Sequence, residues 1–240
     1  VLSLLTMASL VLTKIAATIY AGDVVIRTLL GIESVNIFGH TIDIFWVIAL
    51  GLAFTTGLYT IFGGMRVIMY TAVLQSPVLI LGSLFILYVG LHKLGGGSLV
   101  EGWNATKTAV GANMHLVRSN SDPEWPWLAI LPGSAIIGFW YWCTDQHIVQ
   151  RCLAARNERE ARRGTIFAAY LKLLPFFIFL IPGLIAFVLK AQGKLVMEDT
   201  DTAFPSMVKA IMPVGLRGLL AGGLLAALMS SLASVYNACS

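Results

Sequence analysis

Few residues in this sequence could do chemistry, and most of them sit inside long apolar runs. Ser230 and Ser231 are adjacent in the segment AALMSSLASVYN at 226–237. A hard cation such as sodium takes oxygen ligands. Two hydroxyls, with the Ala227 carbonyl freed three or four residues earlier, would supply three of roughly five oxygens. The remainder would come from another segment, typically an unwound helix at the midplane. Small residues also let helices pack closely, and spacing alone leaves both readings open. Lys172 stands in AAYLKLLPFF at 168–177. A lysine in an apolar span costs about 2.5–3.5 kcal/mol on insertion scales, so it should pair or face water. It either contacts a polar substrate or carboxylate, or runs its stem to the interface. Tyr141 and Trp142 could form a platform for the C–H face of a sugar ring, the phenol adding a hydrogen bond; with Trp140 they equally fit an interfacial aromatic belt. Lys14, Asp145 and Gln146 are the other polar groups at depth. Asp145 pairs with one of the following arginines or caps a helix end.

The elements that must position these groups are apolar helices. Of the 240 residues, 58% are hydrophobic and 12% charged, and the mean hydropathy is +0.83; a soluble domain carries about 25% charged residues. Six apolar runs reach the roughly twenty residues that cross a ~30 Å hydrocarbon core as helix. They fall at 2–30, 44–62, 67–91, 126–149, 166–189 and 215–237. The second stops at Gly63-Gly64. The connection at 93–124 reads as a long loop, and 205–212 reads as a short amphipathic helix between the fifth and sixth spans. The runs are continuous rather than alternating, which makes a β-barrel a poor alternative. The fold class is an all-α, multi-pass membrane protein in contact with the lipid bilayer.

Five arginines (151, 156, 159, 162 and 163) face two glutamates across 151–163. The positive-inside rule makes that loop cytoplasmic in a cell-membrane protein. Alternation then puts Arg66 inside and the loops at 31–43, 93–124 and 190–214 outside. Those outside loops hold eight of the twelve acids: Glu33, Asp43, Glu101, Asp122, Glu124, Glu198, Asp199 and Asp201. The net charge of +4 lies in loops beside spans and points to no nucleic acid. The three cysteines show no metal spacing or disulfide framework. No HExxH, GxSxG or Walker motif supports an enzyme.

Four blocks resemble the solute:sodium symporter family, and within it the sodium/glucose cotransporter branch. They are WYWCTDQHIVQRCLAAR at 140–156, YLKLLP at 170–175, PSMVKAIMPVGLRGL at 205–219 and AALMSSLASVYNACS at 226–240. YTIFGGMRVIMYTAVLQ at 59–75 is a weaker fifth. The resemblance implies a core of two inverted five-helix repeats, with substrate and ion near the midplane. The whole of 1–240 would then be one transmembrane transporter domain, incomplete at both ends and corresponding to the third to eighth core helices. The first core helix, which completes the sodium site in the family, would lie outside it. By resemblance, Ala227, Ser230 and Ser231 match sodium-site positions, Lys172 a sugar-contacting lysine, and Tyr141 the tyrosine that closes the sugar site toward the cytoplasm, with Trp142 beside it. Two departures stand out. Relatives read Thr-Asp where this chain has Thr71-Ala72, and the aspartate is associated with a second sodium site. Three residues before Tyr141 relatives often carry a polar residue, and this chain has Gly138.

The function so implied is sodium-coupled symport, with Na+ as the coupling ion, of a hexose or a related polyol by alternating access. Two alternatives share the resemblance: a symporter of the same fold for a non-sugar solute, and a sugar sensor or uncoupled carrier.

Overall fold

The computed structural model describes residues 2–37, 39–115, 117–197 and 199–240, without the side chains of Ile37, Ala112 and Asn113. Glu198, counted above among the outside acids, lies outside the described residues. The first span is α1 (Leu2–Ser9), a π turn (Leu10–Ile15) and α2 (Ala16–Leu30). Gly31 ends it in the left-handed conformation, φ 68°, its N–H returning to the Arg27 carbonyl. A hairpin of β1 (Ser34–Ile37) and β2 (His40–Asp43) follows, paired antiparallel with Ser34 opposite Asp43. This small sheet replaces what reads from sequence as a plain polar connection.

The second and third apolar runs form α3 (Ile44–Leu94), 51 residues long. As one straight helix it would extend about 77 Å, more than twice the hydrocarbon thickness. Gly64, at φ 52° and ψ −155°, breaks the helical geometry. A side chain on Gly63 would collide with Val67. Tyr59 bonds the Met229 carbonyl, while Gly82 abuts Leu220 and Val78 abuts Gly223. Residues 59 and 82 would stand about 35 Å apart on a straight helix, yet their partners, 220 and 229, lie within about 14 Å of rise. The two arms of α3 therefore fold back around one helix, as two spans joined at the glycine pair.

After α3 come α4 (Leu99–Val110), a 3-10 turn (Gly111–Met114), α5 (Trp127–Cys143) and α6 (Gln146–Leu153). The fourth span is thus not one straight helix: α5 and α6 meet at 49°. The fifth span begins earlier than its apolar run, with α7 (Glu158–Leu171), capped by Asn157 through the Glu160 N–H. It continues through a π turn (Phe176–Leu180) and α8 (Ile181–Ala191). The expected amphipathic helix is α9 (Ala203–Ile211), and α10 (Val214–Cys239) is the last span.

The main core lies between the second arm of α3, α4, α8, α9 and α10. Ile86, Ile185, Leu189, Met207, Val208 and Leu220 are fully buried there. A second cluster, Ile44, Ile48 and Leu52, packs on Ile26, Val35 and Met229. Gly22 lies so close to Leu52 that a side chain there would displace the leucine between α2 and α3. Large apolar side chains such as Leu12, Phe54, Phe62, Leu74 and Phe139 stay exposed, as expected of spans that face hydrocarbon or further helices.

Candidate functional site

The opening aromatic stretch lies where α5 ends. The N–H groups of Thr144 and Asp145 both reach the Trp140 carbonyl, at 3.0 Å each. Asp145 is extended (φ −70°, ψ 109°) and accepts the His147 N–H at 3.3 Å, capping α6. Tyr141 sits edge-on to Trp142, with centroids 5.4 Å apart and planes at 88°. Lys172 caps the C-terminal end of α7, at a turn ahead of Pro175 and the π turn. Its Nζ stands 5.4 Å from the Tyr141 centroid and 5.4 Å from the Trp142 centroid. An ammonium over aromatic faces gains about 0.5–1 kcal/mol at exposed sites. The structure therefore brings together all three candidate sugar-contact residues, from two chain segments that each interrupt their helix there.

Ala227, Ser230 and Ser231 share one face of α10 at the i, i+3, i+4 spacing. Ser230 is buried and Ser231 half-buried. Sequence reasoning has the Ala227 carbonyl freed from its helix. Because α10 is regular throughout, that carbonyl stays in the helical ladder and offers an ion only its second lone pair. The hydroxyls of Ser230 and Ser231 are then the better donors.

The helix after the aromatic break is fastened to α10 just past those serines. Gln150 Nε2 donates to the Ser234 carbonyl at 2.7 Å, and Asn237 Nδ2 donates to Gln150 Oε1 at 2.9 Å. Arg151 Nη2 donates to Ser234 Oγ at 2.6 Å, and Ser234 Oγ donates to the Ser230 carbonyl at 2.9 Å. Ser234 is fully buried, and the bonds to its carbonyl and from its hydroxyl to Ser230 are made away from solvent. Gln150, Ser234 and Asn237 are not singled out by spacing alone; the signal for Ser234 and Asn237 is a polar side chain inside an apolar run, and for Gln150 its place just past one.

Asp145 also meets a partner the sequence could not name. Its carboxylate is bound by the Lys14 ammonium, and the side chains are 2% and 25% exposed respectively. The downstream arginines pair elsewhere: Arg162 with Glu158 and Arg163 with Glu160. A cavity of about 610 Å³ lies away from these groups, between α2 and α9, lined by Tyr20, Asp23, Arg27, Lys194 and Lys209 among others.

A model of the sodium:solute symporter family matches residues 1–240. Sodium/glucose cotransporter 1 of Ovis aries is 36% identical over 269 aligned residues, which cover 100% of this chain and 39% of that protein. Sodium/myo-inositol cotransporter 2 of Homo sapiens is 32% identical over 268 aligned residues, 100% of this chain and 38% of that protein. This chain thus spans about two fifths of the length of the curated relatives it matches. A solved structure of a Na+-coupled sialic acid symporter, substrate-bound and outward-open, superposes with a TM-score of 0.71. It is 24% identical and is covered over 98% of this chain and 48% of its own; at that identity the likeness speaks for the fold. With its apolar helices, its hairpin of spans around α10 and a family match from end to end, this chain belongs to the sodium:solute symporter family.

Proposed function

We propose that this chain is the central part of a sodium-coupled symporter for a hexose or a related polyol such as inositol. The observation that carries the reading is Lys172 standing 5.4 Å from the ring centres of both Tyr141 and Trp142. Aromatic faces beside an ammonium donor suit a ring that is apolar on its faces and hydroxylated on its rim. Relatives named for glucose and for myo-inositol transport point the same way.

Sodium, as a co-transported substrate, binds the Ser230 and Ser231 hydroxyls and the Ala227 carbonyl, with the other ligands supplied by a segment outside this chain. Sodium binding favours the outward-facing state and raises sugar affinity. Sugar in turn raises sodium affinity by the same factor, because coupling of two sites is reciprocal. Release to the cytoplasm, the side of the 151–163 loop in the cell membrane, follows movement of the Tyr141 gate. Ala72 stands where the family's aspartate, associated with a second sodium site, would be, and so argues against two-sodium coupling. Gly138 has open space where a side chain would stand, and the hydroxyl preference differs accordingly.

The test is uptake by the whole protein in proteoliposomes. Labelled glucose, galactose and myo-inositol are offered under an inward sodium gradient or with potassium in its place. Uphill, sodium-dependent uptake of at least one of them is expected. Uptake indifferent to sodium would leave an uncoupled carrier or sensor, and uptake of none of the three would favour a non-sugar solute.

A further inference from the structure

Lys14 and Asp145 carry charges inside apolar spans that neither the ion nor the sugar requires as ligands. Replacing a buried ion pair by apolar groups is often neutral or stabilising, so stability is a poor reason to keep this one. The pair joins two helix irregularities beside the aromatic stretch. Lys14 lies in the π turn Leu10–Ile15, and such turns are frequent at functional sites. Asp145 lies in the 49° break between α5 and α6, 131 residues away in sequence. The Lys14 ammonium also stands 5.4 Å from the Trp140 ring centre, while Lys172 stands over Tyr141 and Trp142. Each ring of the aromatic triplet therefore meets an ammonium group, Lys14 from the first span at Trp140 and Lys172 from the end of α7 at Tyr141 and Trp142. Asp145 in addition caps α6, whose Gln150 and Arg151 grip Ser234. Losing the Lys14 contact releases the Trp140 face and the start of α6 together, with Tyr141 between them.

We propose that Lys14 and Asp145 are positioning residues for the Tyr141 gate: their ion pair ties the first span to the α5–α6 break and sets the pose in which Tyr141 meets the sugar. This deepens the sugar-symport reading and rests on it.

The test compares Lys14→Met, Asp145→Asn, the two combined, and Lys14→Arg in the whole protein in proteoliposomes, reading sugar KM and maximal uptake at saturating sodium. Each single variant should raise the sugar KM, and Lys14→Arg should stay within about threefold of wild type. The double variant decides, because it removes the unpaired buried charge that would hurt folding. A positioning role leaves its sugar KM about tenfold raised with maximal uptake largely kept. A purely structural pair would let the double variant regain the wild-type KM, which overturns the proposal. A second readout needs no solute: the rate at which a membrane-impermeant thiol reagent modifies Tyr141→Cys, with other reactive cysteines replaced. The rate should rise about fivefold or more when Lys14→Met/Asp145→Asn is added, and equal rates would overturn the proposal. Wild-type protein that takes up no sugar would sink the symport reading, while the thiol rates still decide the role of the pair.

Discussion

Tyr141 and Trp142 lie in the last turn of α5 and Lys172 caps α7, each where its helix stops, whereas Ala227, Ser230 and Ser231 occupy a helix that runs without interruption from Val214 to Cys239. The first group is partly exposed and held by ring contacts of about 5.4 Å. The second is flanked by fully buried neighbours such as Leu232, Ala233 and Ser234. A break allows rotation about a few backbone bonds, and elements that move in transport are drawn from such points. A packed, regular helix holds its side chains in fixed relation. In the proposed function the first region is the moving gate and the second the fixed ion seat, and α6, bonded to Ser234, joins them.

The largest effect is expected at the proposed ion seat. At the proposed sodium site, Ser231→Ala would remove one oxygen from a desolvated ion, a loss of about 1–3 kcal/mol. Half-saturating sodium should rise by roughly 5- to 150-fold, read from uptake against sodium concentration. Sugar KM measured at saturating sodium should move far less. An equal shift in both would mean that the two regions are one site.

Next in size is a change that should hurt both regions together. Gly64 holds a backbone conformation nearly restricted to glycine, and Gly64→Ala should cost about 1–3 kcal/mol. The arms of α3 embrace α10 on both sides, so the thermal midpoint of the detergent-solubilised protein should fall, with sodium and sugar dependence deteriorating in parallel. A variant of wild-type stability would contradict the fold-back at the glycine pair.

Lys172→Met sharpens the comparison from the gate side. Loss of the donor with the ring contact kept should raise sugar KM about tenfold, near 1.4 kcal/mol, and leave sodium binding without sugar unchanged in a calorimetric titration. The smallest effect is expected far from both regions. Asp43 caps α3 through the Phe45 N–H, and that bond, with the Arg27 guanidinium, holds its carboxyl below the usual carboxylate range. The folded value is depressed, so this contribution is present above about pH 4 and lost as pH falls through the folded value. Asp43→Asn should therefore lower the thermal midpoint slightly at neutral pH and make no difference at strongly acid pH.

Much of this was legible in the sequence because hydrocarbon thickness sets run length. The first, third and last spans were readable as apolar stretches, and Gly63-Gly64 marked the turn between the arms of α3. Helix α4 was missed inside the 93–124 connection, although its signal was present: Ser98 followed by Glu101 is a capping pattern, and Ser98 Oγ accepts the Glu101 N–H. The 31–43 hairpin was missed because its run is short and mixed in character. Asp145 as a helix cap could be foreseen from its place before Gln146, but its partner could not. Lys14 lies 131 residues away, and only the packing of the first span against the α5–α6 break brings the charges together. The ring contacts of Lys172 are equally a matter of tertiary packing.

The most direct test of the account is reciprocity between seat and gate. Sugar affinity would be measured with and without saturating sodium, and sodium affinity with and without saturating sugar, on the whole protein in one lipid composition. The account predicts that sodium tightens sugar binding and that sugar tightens sodium binding by the same factor, with both factors collapsing toward one in Ser231→Ala. Sugar affinity that ignores sodium in the wild type would contradict it.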